Sequence, residues 1–476
     1  MFATSTIIER FLDEKLQVHP DVISYIIEHN DISLIDRIIE RVPAECLVAS
    51  LSHVPGLYPS RDGCRFLGDP EIEVVLGREH TARPVNNVSD YVMYFNNRYK
   101  TLSSIIRGRC NAAPIEALLR NDQYMQEECA VIGMVSDLRT TANGHRMVQL
   151  EDRTGSINVL FNRSHPGFDE AEKLVYDEII GVKGTLSQER TLLFSNQLYR
   201  PDIPFSYQPY MSDKQGKAAL ISDIHVGSDT FLEEEWLSFL DWISDSEISY
   251  LLIAGDMVDG IGIYPGQEHE LMLPNIYEQY DRLGEYLSDL PSRIKIICAP
   301  GNHDVVRGAE PQPVIPEQFR RKYCENCTFV ENPAVVSVQG VKVLMYHGRS
   351  YDDLIGLIPG ASYEQPGDIM IEMLKRRHLS PCYGRKTPIA AAAEDRLVID
   401  PVPEVLHTGH VHILGISYYR GVLCINAGTW QSQTAFQKQM NINPTPAKAV
   451  VLDLMTLQPS VYDFMKSEPT PEQIAD

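Results

Sequence analysis

The sequence predicts a multidomain chain with a small helical N-terminal domain, a small β-barrel and a layered α/β C-terminal domain. Three observations carry this expectation. Apolar residues recur at helical spacing near the N-terminus. Five strand-like runs follow, interrupted by one helical segment. From Lys217 onward, short apolar runs end in polar clusters and alternate with helical segments. A length of 476 residues exceeds what one core usually organises, at about 100–200 residues per domain.

From Ile7 to Ser50 the helical spacing is seen in Val22, Ile23, Tyr25 and Ile26 and again in Ile35, Ile38 and Ile39, with Asn30 and Asp31 as break and cap residues. Residues 1–52 are expected to form the helical domain. Pro55, Pro59, Gly63, Gly68, Pro70 and Pro84, mixed with charges, make 53–90 an expected linker. Residues 91–205 begin with a helical pattern around Tyr99 to Leu119. Strand-like runs follow at Cys129 to Leu138, Arg146 to Glu151 and Ser156 to Phe161, the last two joined by an Asp152-Arg153-Thr154-Gly155 turn. A helical segment, Pro166 to Val175, precedes Glu178 to Leu186 and Leu192 to Leu198. Three strands, a helix and two strands is the order of an OB-fold, which serves single-stranded nucleic acid or acts as a protein-interaction module. In 217–476, Ala218 to Ile221, Tyr250 to Ala254 and Ile294 to Ala299 read as buried strands. Glu234 to Ile243 and Ile276 to Leu287 read as the intervening helices, the alternation of an α/β layered domain.

Composition narrows the class. With 43% hydrophobic and 22% charged residues, and no apolar run near the ~18 residues that mark a membrane span, the chain reads as a soluble protein. The N-terminal Glu9, Arg10, Asp13 and Glu14 do not form a secretory signal, so a cytoplasmic location is expected. Nine scattered cysteines suit reduced thiols, and the Cys324/Cys327 pair lacks a second pair to complete a zinc site. A net charge of −23 disfavours DNA binding by this chain alone, since that affinity comes mainly from Lys and Arg meeting phosphates. It points to a small phosphoester substrate or to a partner that supplies the DNA-holding surface.

The chemistry concentrates in five blocks: Asp223-Ile224-His225, Gly255-Asp256, Gly301-Asn302-His303-Asp304, His347 in Tyr346-His347-Gly348, and Gly409-His410-Val411-His412. A lone DxH or GD after a strand is common. Five such blocks, at strand ends or in loops, point to one metal centre. Carboxylates, imidazoles and an amide oxygen make an N/O donor set suited to Mn²⁺, Fe²⁺ or Zn²⁺ rather than Ca²⁺.

These blocks resemble those of the calcineurin-like metallophosphoesterase superfamily. The surrounding stretches, GDMVDGIGIYPG from Gly255, GNHDVVRGAEPQP from Gly301, HGRSYDD from His347 and NAGTWQSQTAFQKQMNINPTP from Asn426, narrow the resemblance to the small subunits of archaeal family-D DNA polymerase (DNA polymerase II). It runs from about residue 90 to the C-terminus and is most specific after Lys217. It implies a two-sheet sandwich flanked by helices and two divalent metal ions, Mn²⁺ first, with Fe²⁺, Zn²⁺ or Mg²⁺ as alternatives. Asp223, His225 and His412 would hold one ion, Asn302, His347 and His410 the other, and Asp256 would bridge them. His303 would protonate the leaving oxygen or bind the phosphate, oriented by Asp259 or Asp304, and Arg307 would contact a phosphate oxygen or sit in a surface ion pair. His407, just before the Gly409 block, is expected to take no direct part, with support of a ligand from behind as the lesser alternative.

The implied activity is a two-metal 3′-to-5′ exonuclease that proofreads primer ends. The implied partners are a large catalytic polymerase subunit, a primer-template 3′ end and, through the complex, a sliding clamp, with no membrane. A stand-alone metallophosphatase and a non-catalytic assembly subunit are the alternatives. The glutamine-rich stretch around Trp430 and Phe436 is expected at the substrate rim or the large-subunit interface, and Lys375, Arg376 and Arg377 at a solvated basic face with DNA contact as the other possibility.

Overall fold

The computed structural model describes residues 4–29, 33–39, 42, 48–49, 71–77, 87–120, 128–439, 441–466 and 469–473. It divides into two compact units, Met1–Phe66 and Leu67–Asp476. In the first, helices Thr4–Asp13, Pro20–His29 and Ser33–Ile39 enclose a core of Ile7, Phe11, Val22, Ile26, Leu34, Ile35 and Ile38. Gln17–Val18 pairs in parallel with Val48–Ala49.

The second unit opens with a correction. Ile72–Leu76, placed in the expected linker, is an edge strand antiparallel to Ala334–Val338. Its Ile72 and Val74 pack on the sandwich core, a burial that the surrounding prolines and charges hide in the sequence. Helix Val88–Arg107 starts earlier than its apolar pattern because Asn87 and Asp90 form a capping box. After a break, Ile115–Arg120 makes a separate helix.

The five barrel strands are Cys129–Thr140, Arg146–Glu151, Ser156–Phe161, Ile179–Leu186 and Leu192–Tyr199. They close in the order first, second, third, fifth, fourth, first. The third and fifth pair in parallel and the other contacts are antiparallel. This is the OB-fold, filled by Val131, Val135, Val148, Leu150, Val159, Ile180 and Val182.

The α/β region is a sandwich of two sheets. One runs Cys327–Phe329, Lys295–Ala299, Ile248–Ala254, Lys217–Ile221, Lys448–Asp453, Pro459–Asp463 and Glu472–Gln473. The other runs Gly415–Tyr419, Val422–Asn426, Val405–Thr408, Val341–Met345, Ala334–Val338 and Ile72–Leu76. Period-two alternation builds the layers. Ala218, Leu220, Tyr250 and Leu252 face the second sheet, while Ala219, Ile221, Leu251 and Ile253 face helices Glu233–Asp245 and Ile276–Ser288. Helices Tyr351–Leu357 and Pro366–Arg376 cover the opposite side.

The barrel and the helix that leads into it are joined to the sandwich by two buried networks. In one, Arg98 Nε stands 2.6 Å from Asp395 Oδ2, which also takes His378 Nε2 at 2.9 Å. In the other, Arg376 Nε lies 3.2 Å from Glu178 Oε2, and Arg200 Nη1 donates to Glu372 Oε2 at 3.0 Å. Lys375, Arg376 and Arg377 therefore do not form a solvated or DNA-facing surface. Lys375 pairs with Glu170 and Glu372, and Arg376 and Arg377 are buried. Charges this deeply desolvated need partners, and the barrel supplies several of them. Among the described residues, no helix is long and apolar enough to cross a membrane.

Candidate metal centre

The five blocks converge because each follows a strand at the same end of the sandwich: Lys217–Ile221, Ile248–Ala254, Lys295–Ala299, Val341–Met345 and Val405–Thr408. Parallel pairing of the three strands in one sheet, and of two in the other, aligns their C-terminal ends. Five site residues have left-handed backbone: Asp223 (φ 54°), His225 (56°), Asp256 (48°), His410 (74°) and His412 (60°). Non-glycine residues rarely adopt this region, and such local strain gathers at functional sites. The motif glycines are required by close approach. A Cβ on Gly301 would lie 2.2 Å from Asp256 Oδ1, and one on Gly409 2.3 Å from Asp223 Oδ2.

Each buried carboxylate is anchored by one oxygen and presents the other. His410 N–H donates to Asp223 Oδ2 at 2.9 Å, and His303 N–H to Asp256 Oδ1 at 2.8 Å. Asp223 Oδ1 is buried without a hydrogen-bond partner, 3.4 Å from His412 Nε2 and 3.9 Å from His225 Nε2. Asp256 Oδ2 lies 3.2 Å from His347 Nε2 and 3.9 Å from His225 Nε2, between the two halves of the site. His225 Nε2 and His412 Nε2 are 3.1 Å apart, and His347 Nε2 is 3.0 Å from Asn302 Oδ1. Ligand-type atoms of Asp223, His225 and His412 lie within 4.8 Å of one another, as do those of Asp256, His347 and His410.

The electrostatics demand positive charge here. Burial opposes ionisation of Asp256, yet His347 and His303 hold its carboxyl well below the usual range. Burial acts against a charged His347, but Asp256 pushes its imidazole up to about 10. A proton on His347 or a divalent cation satisfies the same field. The orphaned Asp223 oxygen and the converging imidazole nitrogens suit a borderline-hard cation.

Contacts correct the expected roles of Asp259, Asp304 and Trp430. Asp259 does not orient His303 through its carboxylate: Asp259 Oδ1 lies 3.0 Å from His225 Nδ1, while His303 Nδ1 is 2.8 Å from the Asp259 main-chain oxygen. Asp304 points away from His303. It accepts from Tyr280 Oη (2.7 Å), Gly301 N–H (2.8 Å) and Met257 N–H (3.3 Å), clamping the loop, and burial pushes its carboxyl up to about 6. The exposed Arg307 is tied to the Pro311 carbonyl through Nη2 at 2.7 Å. His407 is buried, burial pushes its imidazole down to about 3, and no hydrogen bond joins it to the metal-type clusters. Trp430 is fully buried against Trp236 and Phe239, in the core rather than at a rim or interface, while the Phe436 side chain lies outside the described residues. Cys324 and Cys327, with Sγ atoms 3.5 Å apart, belong to none of the metal-type clusters among the described residues.

Three supporting residues were not assigned from the sequence. Asp352 Oδ2 lies 3.5 Å from His410 Nε2, and although burial opposes it, His410 and Tyr363 keep its carboxyl below the ordinary range. Gln437 Nε2 is 2.8 Å from His412 Nδ1, and Gln431 Nε2 donates to Ser228 Oγ at 2.7 Å. The glutamine run was the visible signal for the last two. Asp352 stands in the HGRSYDD stretch but is separated in sequence from the histidine it meets.

The sequence comparisons agree with this architecture. Residues 218–412 match the DNA polymerase alpha/epsilon B-subunit family model, and 130–194 match the OB-fold nucleic acid binding domain. The DNA polymerase II small subunit of Halobacterium salinarum is 44% identical over 414 residues, covering 85% of this chain and 81% of that one. The chain belongs to the DNA polymerase II small-subunit family. The Methanothermobacter thermautotrophicus member is 42% identical, covering 81% of this chain and 82% of its own. The Thermoplasma acidophilum member is 37% identical over 97% of this chain and 93% of its own. This last alignment takes nearly the whole chain into the small-subunit family.

Proposed function

We propose that this small subunit is a two-metal 3′-to-5′ exonuclease that removes mispaired nucleotides from a primer end, in partnership with a large catalytic polymerase subunit. The observation that carries the reading is the pair of anchored carboxylates: Asp223 Oδ1 is orphaned in one half of the site and Asp256 Oδ2 faces imidazoles of both halves. Asp223, His225 and His412 would hold one cation, Asn302, His347 and His410 the second, with Asp256 shared. Bound divalent cations would neutralise phosphate charge and acidify a water; Mn²⁺ is the first choice for this donor set.

His303 is the group that carries a proton. Its Nδ1–H is held by the Asp259 carbonyl, so in the imidazolium form its Nε2–H would protonate the departing sugar oxygen. The large subunit supplies the basic DNA surface that a chain of net charge −23 lacks. That same charge favours the second reading, a metallophosphatase for small phosphoesters.

The test is digestion of a 5′-labelled, 3′-mismatched primer with Mn²⁺, by the chain alone and with its large subunit. Stepwise shortening lost in Asp256→Ala and His303→Ala is expected. Hydrolysis of a simple aryl phosphate without shortening would instead select the phosphatase, and turnover of neither would leave an assembly role.

A further inference from the structure

Beside His303 the protein exposes apolar surface where a metal-phosphate centre alone gives no reason for it. Ile261, Ile263 and Tyr264 are 45%, 38% and 36% exposed, within one short loop that follows Asp259. The Tyr264 ring centroid is 6.5 Å from that of His303. The loop is held from beneath. Buried Gln267 donates through Nε2 to the Asp259 main-chain oxygen and to Asp259 Oδ2, both at 2.8 Å, and its Oε1 accepts from Ile263 N–H at 2.9 Å. Tyr264 Oη donates to Glu270 Oε2 at 2.9 Å, which fixes the ring.

The charge around the loop selects the part of a ligand that fits. Glu270 accepts from the tyrosine, and Asp229 lies next to it, its N–H bonded to the Glu270 carbonyl at 2.9 Å. Burial and then Glu270 push the Asp229 carboxyl up, as two acidic groups on one side of a site should. This side repels a phosphate and offers an aromatic face and two aliphatic side chains. An uncharged planar group attached to a phosphate held at the neighbouring centre meets both conditions.

We infer that the Ile261–Tyr264 surface is a nucleobase platform, on which Tyr264 stacks the base of the terminal nucleotide whose phosphate occupies the metal-type centre. The inference rests on the nuclease reading and names the part of the substrate it binds. Stacking on an aromatic ring accepts every base, as a proofreading site requires.

The test is calorimetric titration of the full chain in Mn²⁺ with 2′-deoxyadenosine 5′-monophosphate and with 2-deoxyribose 5-phosphate. The nucleotide should bind more tightly on the order of tenfold, the worth of one stacked base. Tyr264→Ala should abolish the difference and Tyr264→Phe should retain it, with the sugar phosphate binding equally in all three. Equal binding of the two ligands by the unaltered chain, no binding of either, or a preference that survives Tyr264→Ala would overturn the platform. The two readings separate. Base preference without primer shortening keeps the platform and removes the exonuclease. Shortening without base preference does the reverse and leaves the apolar surface to a protein partner.

Discussion

Asp259 Oδ1 stands 3.0 Å from Nδ1 of His225, so this carboxylate fixes the ring of His225 rather than that of His303 next to it. Gln267 Nε2 at 2.8 Å and Gln431 Nε2 at 3.4 Å hold the carboxylate in turn. With Nδ1 donating to Asp259, His225 presents its Nε2 lone pair toward Asp223 and His412.

Asp259→Asn should therefore weaken binding at the Asp223, His225 and His412 half by about 10- to 100-fold, the usual cost of losing such a carboxylate behind a histidine. Titration with Mn²⁺ followed by calorimetry or electron paramagnetic resonance reads this directly. Unchanged affinity would return Asp259 to a structural role.

Asp352 makes the corresponding contact with His410 on the other half, 3.5 Å from Nε2. Asp352→Asn should lower affinity in one of the two binding steps while leaving the other near its original value. A loss shared equally by both steps would mean that the two halves do not bind independently.

The Arg98–Asp395 pair ties the leading helix to the sandwich with both side chains fully buried. Arg98→Met leaves a buried carboxylate with no cationic partner, hydrogen-bonded to a neutral His378, and should cost about 3–5 kcal/mol. Arg98→Met with Asp395→Leu should recover part of that loss. Urea unfolding midpoints compare the three proteins, and a double variant no better than the single one would rule out stranded charge as the cause.

Burial pushes the His378 imidazole from its ordinary 6.5 down to about 4, with Arg98 adding to the shift and Asp395 opposing it. The unfolded chain takes up this proton at a higher pH than the folded one. The stability it contributes is complete above pH 6.5 and is lost as pH falls from 6.5 through 4, by roughly 3 kcal/mol at most. His378→Asn should flatten that window in a pH series of unfolding measurements. An unchanged slope would assign it to other groups.

Trp430→Ala should destabilise the fold by about 3–5 kcal/mol, because the indole is fully buried against Trp236 and Phe239. Association with the large subunit, measured on the folded fraction, should not change. A stable variant that loses the partner would restore the interface expectation.

The metal-ligand residue types were legible because they follow short apolar runs visible in the residue order. The glycines of the Gly301 and Gly409 blocks mark backbone that must pass within side-chain distance of a carboxylate. The barrel was legible through its strand order, and the Arg146–Glu151 and Ser156–Phe161 boundaries agree with the sequence pattern because a four-residue turn separates two alternating runs.

Local sequence could not determine which partner each side chain would choose. Asp259 and Asp304 are both acidic residues near His303 in sequence, but strand register sends one to His225 and the other to Tyr280. Lys375, Arg376 and Arg377 look like a solvated basic run until the barrel and the Asp400 segment bring Glu170, Glu178 and Asp400 to meet them. Ile72–Leu76 becomes a strand because Ala334–Val338 offers it an edge. The sequence determined residue types, periodicity and the donor set of the site. Tertiary structure decided the pairings, because desolvation and hydrogen-bond geometry depend on groups brought together from distant parts of the chain.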